Sequence, residues 1–146
     1  MIYLDPSVIF SLYGTDSNTI GALSLINNAS EPFVMTPFCE FETLNAFSLG
    51  MFRNQLSESE AGRLRHDFQL DIEAGVYQQR PLPTAAFTRA KALAEKITPS
   101  VGVRAADLLH IAAALELGAK TLYTLDQKQH EAAQAAGLKV NQLPKP

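Results

Sequence analysis

The chain is poor in cysteine and has no apolar run long enough to span a membrane. Cys39 is the only cysteine among 146 residues, so no internal disulfide can form, and a reducing compartment suits the chain. The apolar stretch 108–115 is interrupted by His110 and falls far short of the roughly 20 residues that a transmembrane helix needs. Met1 is followed directly by Ile-Tyr-Leu-Asp, without the basic start of a signal peptide. These absences predict a soluble, cytoplasmic protein with no membrane partner.

The sequence patterns of several common catalytic and metal sites are also missing. There is no glycine-rich phosphate loop and no Gly-x-Ser-x-Gly nucleophile motif. His110 has no second His or Cys at zinc spacing, and its apolar neighbours favour a structural role over ligation. Cys39 precedes Glu40, whose charge works against a reactive thiolate.

Basic residues are absent from the first 52 positions, although those positions contain five acids. Eight of the twelve basic residues lie between 53 and 104, namely Arg53, Arg63, Arg65, Arg80, Arg89, Lys91, Lys96 and Arg104. The net charge is −3. Such segregation is compatible with an acidic pocket beside a basic surface, and equally with ordinary solvated helix faces.

Length and composition fit a single globular domain over residues 1–142, followed by a tail at 143–146. No segment repeats with a period of 20–50 residues. Short apolar runs, typical of strands, occur near 1–4, 33–36, 76–80, 120–124 and 138–140. Helical patterns lie between them: one begins at Pro6, a second follows Asn18, and the others lie at 38–51, 57–72, 84–97, 104–117 and 127–136. This alternation predicts an α/β fold with a mostly parallel central sheet of four or five strands and helices on both faces.

Four acids stand where a parallel sheet binds its ligands, namely Asp5, Glu42, Asp107 and Asp126. Asp5 and Asp126 follow strands, and the crevice outside the carboxyl ends of parallel strands is the usual ligand site. Glu42 and Asp107 lie on helices expected to start at the same edge of the sheet. Each acid also has a structural interpretation: helix capping for Asp5 and Asp126, the helix dipole for Asp107, and solvent exposure for Glu42.

Four carboxylates at one place repel each other unless they share protons or bind a cation. Mg²⁺ and Mn²⁺ prefer such oxygen ligands, and a divalent cation held in this way suits phosphodiester hydrolysis. Ser7 and Thr124 each lie two residues from an acid, where a hydroxyl can orient a carboxylate or serve only as a cap or strand residue.

Four segments of the chain, taken in order, resemble the motifs of PIN-domain ribonucleases. They are Ile2-Tyr-Leu-Asp5-Pro-Ser7, Glu42-Thr-Leu-Asn-Ala46, Arg104-Ala-Ala-Asp107-Leu-Leu-His110-Ile-Ala-Ala113 and Thr124-Leu-Asp126. The length and the near absence of insertions are similar to VapC-like toxins of toxin–antitoxin pairs. One departure is Pro6, where Thr or Ala is commoner in the family; proline still starts a helix and leaves the acid in place.

The resemblance implies a PIN-like parallel sheet and an endoribonuclease dependent on Mg²⁺ or Mn²⁺. It implies Asp5, Glu42, Asp107 and Asp126 as catalytic, metal-binding carboxylates, with Ser7 and Thr124 in support. Glu40 competes with Glu42, which we prefer because a small residue, Ala46, follows it on the helix. An antitoxin protein and a homodimer are the partners that the resemblance implies.

Two other functions remain open at this point. The domain would be a catalytically inactive RNA-binding or scaffolding module if its acids had been lost, but all four are present. An α/β phosphotransfer protein with Asp5 as nucleophile is disfavoured because the Asp-x-Asp start is absent: position 7 is serine. We also expect part of the apolar surface of residues 8–26 and 38–52 to stay exposed and to form the homodimer contact; its side chains are Val8, Ile9, Phe10, Leu12, Phe41, Phe47, Leu49, Met51 and Phe52.

Overall fold

The computed structural model describes residues 1–144 and contains a five-stranded, all-parallel sheet. The strands are β1 (Ile2–Leu4), β2 (Phe33–Met35), β3 (Tyr77–Gln79), β4 (Thr121–Tyr123) and β5 (Lys139–Val140). They are ordered β3-β2-β1-β4-β5, which confirms the predicted α/β class. The predicted tail at 143–146 extends beyond the described residues, so its last two positions lie outside them.

Seven helices connect and follow these strands. They are α1 (Pro6–Tyr13), α2 (Thr19–Asn27), α3 (Pro37–Phe52), α4 (Glu58–Glu73), α5 (Ala85–Val101), α6 (Ala105–Glu116) and α7 (Gln127–Ala135). Side chains cap several of them: Asp5 accepts from the backbone of α1, Thr36 from α3 and Asp126 from α7. Ser57 and Glu60 form the predicted capping box of α4.

The central strand β1 separates two hydrophobic cores because successive side chains point to opposite faces of a sheet. Tyr3 belongs to the core that packs against α5, α6 and α7. Ile2 and Leu4 belong to the other core, with buried side chains of α1, α3 and α4. Strand β1 pairs with β2 on one side and with β4 on the other, so the carboxyl ends of these three strands meet at one edge.

One predicted helix end differs from the structure, and helix α3 divides its apolar side chains between two faces. Phe41 and Leu49 are 67% and 38% exposed. The buried face, against which α1 and α4 pack, consists of Cys39, Thr43, Phe47 and Gly50. Helix α5 was expected to end near Ile97; it continues through Pro99 to Val101 and ends where Gly102 adopts φ 69°.

No helix within residues 1–144 combines the length and the apolar composition that crossing a membrane requires.

Candidate active site: a cavity lined by four carboxylates

A cavity of about 280 Å³ lies at the edge of the sheet where β1 and β4 end. Its lining includes all four candidate acids and Ser7; the full set is Asp5, Pro6, Ser7, Glu42, Asn45, Ala46, Leu49, Arg104, Asp107 and Asp126. Glu40 is not among them; its carboxylate accepts a hydrogen bond from Gln79. The structure therefore brings Glu42, and not Glu40, to the other acids.

Asp5 is fixed by the start of α1. It is 6% exposed, and its Oδ2 accepts from the Ser7 backbone amide at 2.9 Å and from Thr124 Oγ1 at 3.5 Å. Ser7 Oγ lies 3.4 Å from Thr124 Oγ1 and accepts from the Leu125 amide at 3.0 Å. The two hydroxyls thus tie the end of β4 to the start of α1, beside the Asp5 carboxylate.

Asp126 is placed by the turn between β4 and α7. Its amide donates to Thr124 Oγ1 at 3.0 Å, and its Oδ1 accepts from the Gln129 amide at 2.8 Å as the cap of α7. The buried Asn141 holds the same turn from β5, since its side chain accepts from the Thr124 amide at 2.8 Å and donates to the Thr124 carbonyl at 2.9 Å. Sequence reasoning missed Asn141, which lies in no motif.

Glu42 is held by a histidine. His110 is fully buried, and its Nε2 is hydrogen-bonded to Glu42 Oε2. Its Nδ1 lies 2.8 Å from the Tyr3 hydroxyl, and Phe38 stacks on the imidazole with ring centroids 4.7 Å apart. Both contacts are satisfied together when the Tyr3 hydroxyl donates to Nδ1 and Nε2 donates to Glu42.

Asp107 projects into the cavity from the first turn of α6. Burial, followed by the negative charge of Asp5, raises the pKa of the Asp107 carboxyl; Asp126 acts in the same direction. Arg104 opposes these effects from 3.5 Å, although its own side chain is 82% exposed. The like-charge repulsion expected of a carboxylate cluster is therefore present at this position.

The chemistry of the cavity fits a divalent cation, although its side chains are not arranged as a closed metal site. Four carboxylates from four different elements share one space, and a cation would relieve the repulsion between them. Within residues 1–144, no three His, Cys, Asp or Glu side chains stand close enough together to hold a metal ion as they are. Cation binding therefore requires some of these side chains to rotate toward a common point.

Cys39 takes no part in this chemistry. It is fully buried beneath the site, and its Sγ donates to the Leu4 carbonyl at 3.2 Å. Burial, followed by the charges of Asp5 and Glu42, raises the pKa of the thiol well above its usual value.

Comparison with known proteins identifies one family and a group of similar folds. A family model described as "PIN domain" matches residues 2–135. No curated protein matches the chain. The FitAcB structure from Neisseria gonorrhoeae superposes with a TM-score of 0.70 at 19% identity, covering 96% of this chain and 96% of that one.

Two further solved structures have the same fold. VapC20 from Mycobacterium tuberculosis, described as a sarcin-ricin loop cleaving toxin, gives a TM-score of 0.65 at 16% identity over 94% of this chain and 96% of that one. VapBC2 from Rickettsia felis, bound to a DNA fragment from its promoter, gives 0.64 at 17% identity over 97% and 98%.

Proposed function

Because the chain belongs to the PIN domain family, we propose that it is a nuclease that hydrolyses phosphodiester bonds in RNA with the help of Mg²⁺ or Mn²⁺. The observation that carries this proposal is the meeting of Asp5, Glu42, Asp107 and Asp126 in one cavity at the carboxyl edge of the sheet. Carboxylates are the ligands that these cations prefer, and a polyanionic substrate is compatible with an acidic cavity only when cations offset its charge.

The four acids are the proposed ligands. When bound, a divalent cation supplies Lewis-acid polarisation of a phosphoryl oxygen and a more acidic water. Asp5 is held rigidly by the Ser7 amide, and Glu42 is oriented by His110. Ser7 and Thr124 support the site by fixing the Asp5 carboxylate and the turn that carries Asp126.

Arg104 is the basic side chain at the mouth of this cavity. It pairs with Asp107 at 3.5 Å but remains 82% exposed, so that its guanidinium is free to approach the phosphate of a bound strand. Bidentate contact with phosphate oxygens is the interaction for which guanidinium geometry is best suited.

We further propose that the protein is the toxin of a toxin–antitoxin pair and acts in the cytoplasm. The similar structures named above include a toxin and a complex of a VapBC pair, and the match covers nearly all of this chain and of theirs. An antitoxin that covers the carboxylate cavity is the expected protein partner, and a homodimer is the expected form of the toxin alone.

The test is cleavage of a fluorescently labelled RNA by Glu42→Gln and Glu40→Gln variants in Mg²⁺, in Mn²⁺ and in EDTA. Both changes remove one charge from the same helix, but only Glu42 lines the cavity. We expect the wild type and Glu40→Gln to cleave RNA with either cation and not in EDTA, and Glu42→Gln to lose at least about 100-fold in rate, as when one stabilising group of a site is removed.

Three results contradict the proposal. Cleavage in EDTA would exclude a role for the cation, and equal loss in both variants would exclude the cavity. Binding of RNA by a wild type that never cleaves it would make the chain an RNA-binding module instead.

A further inference from the structure

A second cavity, of about 470 Å³, continues from the carboxylate cavity between α1 and α3. The two cavities share six lining residues, which form the passage between them: Pro6, Ser7, Ala46, Leu49, Arg104 and Asp126. The proposed hydrolysis uses only the first cavity, so the second one has no role in it. Its volume lies in the range of natural small-ligand pockets, roughly 300–1,000 Å³.

The second cavity leads away from the carboxylates along two helices. Phe10 and Ser11 line it from α1, and Gly50 and Arg53 line it from the end of α3. From Glu42 to Arg53 is eleven residues, or about 16 Å of helix. Arg53 therefore stands at the far end of a passage that begins at the proposed catalytic site.

Arg53 is a basic side chain that has no acidic partner among the described residues, so it can bind a phosphate. It is the first basic residue of the chain and is exposed, and none of the ion pairs found within residues 1–144 includes it. An arginine without a carboxylate partner, beside a cavity, is well suited to bind a phosphate.

The one acid of the second cavity outside the shared passage is Asp16. Its Oδ2 accepts from Ser11 Oγ at 3.0 Å and its Oδ1 from the Asn18 amide at 2.8 Å, so both oxygens are held on the α1 side. Its charge repels a phosphate there and leaves the α3 side, with Arg53, as the favourable one.

The backbone around Arg53 is held in one conformation. The amides of Gln55 and Leu56 both donate to the Gly50 carbonyl, at 2.8 and 3.1 Å. Asn54, directly before Gln55, has φ 55°, a conformation that asparagine tolerates. A Cβ at Gly50 would lie 2.8 Å from Leu56 Cδ1, so glycine lets this turn pack closely. Arg53 and Gln55 are consequently presented to the cavity by a fixed turn.

We propose that this second cavity is a subsite for single-stranded RNA, in which Arg53 binds a backbone phosphate of the strand whose scissile bond lies at the carboxylates. This rests on the proposed nuclease function. The strand would run from the carboxylate cavity past Ala46 and Leu49 to Arg53, with Gln55 and Asn18 offering side-chain amides to the bound nucleotide.

The test measures binding of a labelled, non-hydrolysable single-stranded RNA analogue by fluorescence anisotropy at a fixed Mg²⁺ concentration, over a series of monovalent salt concentrations. We expect Arg53→Ala to lower affinity about tenfold at low salt, as for one charge-assisted hydrogen bond. The slope of log K against log salt concentration should become less steep by about 0.7, the value for one phosphate contact on a single strand. Asp16→Asn should tighten binding because a like charge is removed.

The matched control is Arg63→Ala, which removes the same charge from an exposed position on α4 outside both cavities. It should leave affinity and slope nearly unchanged. Arg53→Lys keeps the charge and should retain the slope while losing part of the affinity, which separates phosphate binding from a folding defect; thermal melting checks each variant.

If the wild type cleaves RNA but Arg53→Ala and Arg63→Ala change RNA binding equally, the proposed subsite is wrong. The proposed nuclease function is unaffected by that result. A wild type that neither binds nor cleaves RNA would overturn the nuclease function, and the subsite with it.

Discussion

At the scale of single residues, Glu42 depends on side chains that lie outside the cavity. Its partner His110 is fully buried, and the other nitrogen of that imidazole is held by the Tyr3 hydroxyl, which in turn lies 3.3 Å from Thr36 Oγ1. This chain of hydrogen bonds fixes the tautomer of His110 and hence the proton that is offered to Glu42. Removal of the Tyr3 hydroxyl should therefore affect the Glu42 carboxylate.

We expect Tyr3→Phe to weaken Mn²⁺ binding and to slow RNA cleavage several-fold, since the imidazole that orients Glu42 then keeps only one of its two hydrogen bonds. Stability should fall by about 1–3 kcal/mol because a buried nitrogen loses its partner. The control is Tyr77→Phe, another buried tyrosine, whose hydroxyl lies 2.7 Å from that of Tyr13 and away from the cavity. It should lower stability without changing the Mn²⁺ titration followed by electron paramagnetic resonance. Identical Mn²⁺ affinities in the two variants would contradict this role of Tyr3.

Asp107 should destabilise the cation-free protein at neutral pH. Burial, and then Asp5, raises its pKa in the folded state above the ordinary 3.8, so the folded protein binds this proton more tightly than the unfolded chain does. The bound proton stabilises the folded protein fully at pH values below the pKa of Asp107 in the unfolded chain. This stabilisation is lost as the pH rises through the higher pKa of Asp107 in the folded protein. Above that range the charged carboxylate opposes folding.

Asp107→Asn should accordingly melt at the same or a higher temperature than the wild type at pH 7 in EDTA, while losing RNA cleavage. The difference between the two should shrink as the pH is lowered through the range in which Asp107 takes up its proton. Asp67→Asn on α4 removes the same charge away from the cavity and controls for net charge. A marked loss of melting temperature in Asp107→Asn would instead assign this acid a structural role at the start of α6.

At the scale of helices and strands, several helix starts followed from the sequence because local signals set them. Pro6 and Pro37 sit at helix starts with Asp5 and Thr36 as caps, and Ser57 forms a capping box, all within a few residues of chain. The predicted parallel sheet also followed from the alternation of strands and helices. Local chemistry was sufficient for these features.

What the sequence could not give were the contacts made by packing. The sequence predicted that part of the apolar surface of α3 stays exposed, but not that Phe41 is on the exposed side while Thr43 and Gly50 are buried. His110 was predicted to be structural, but its hydrogen bond to Glu42 joins residues 68 positions apart and is not visible in the sequence. Asn141, 17 positions from Thr124, was missed for the same reason.

At the scale of the whole molecule, part of the apolar surface expected from residues 8–26 and 38–52 is buried and part is exposed. Val8, Ile9 and Phe47 are fully buried in the core. Phe41 and Phe52 are 67% and 84% exposed, and Leu49 between them is 38% exposed. Eleven residues make just over three helical turns, so Phe41 and Phe52 lie on the same side of α3.

This exposed side of α3 is the surface on which we expect the homodimer to form. Large aromatic side chains on one helix face are costly to leave in water, and two-fold self-association is the commonest way to cover such a face.

The purified protein should have a mass near twice the 15.9 kDa of one chain by light scattering at micromolar concentration. Phe52→Glu should shift it toward one chain, because two copies of the new charge would face each other across the axis. Phe87→Glu on α5, at a residue that is 51% exposed, should leave the dimer intact. A wild type with the mass of a single chain, or equal dissociation by both changes, would show that α3 does not form the contact.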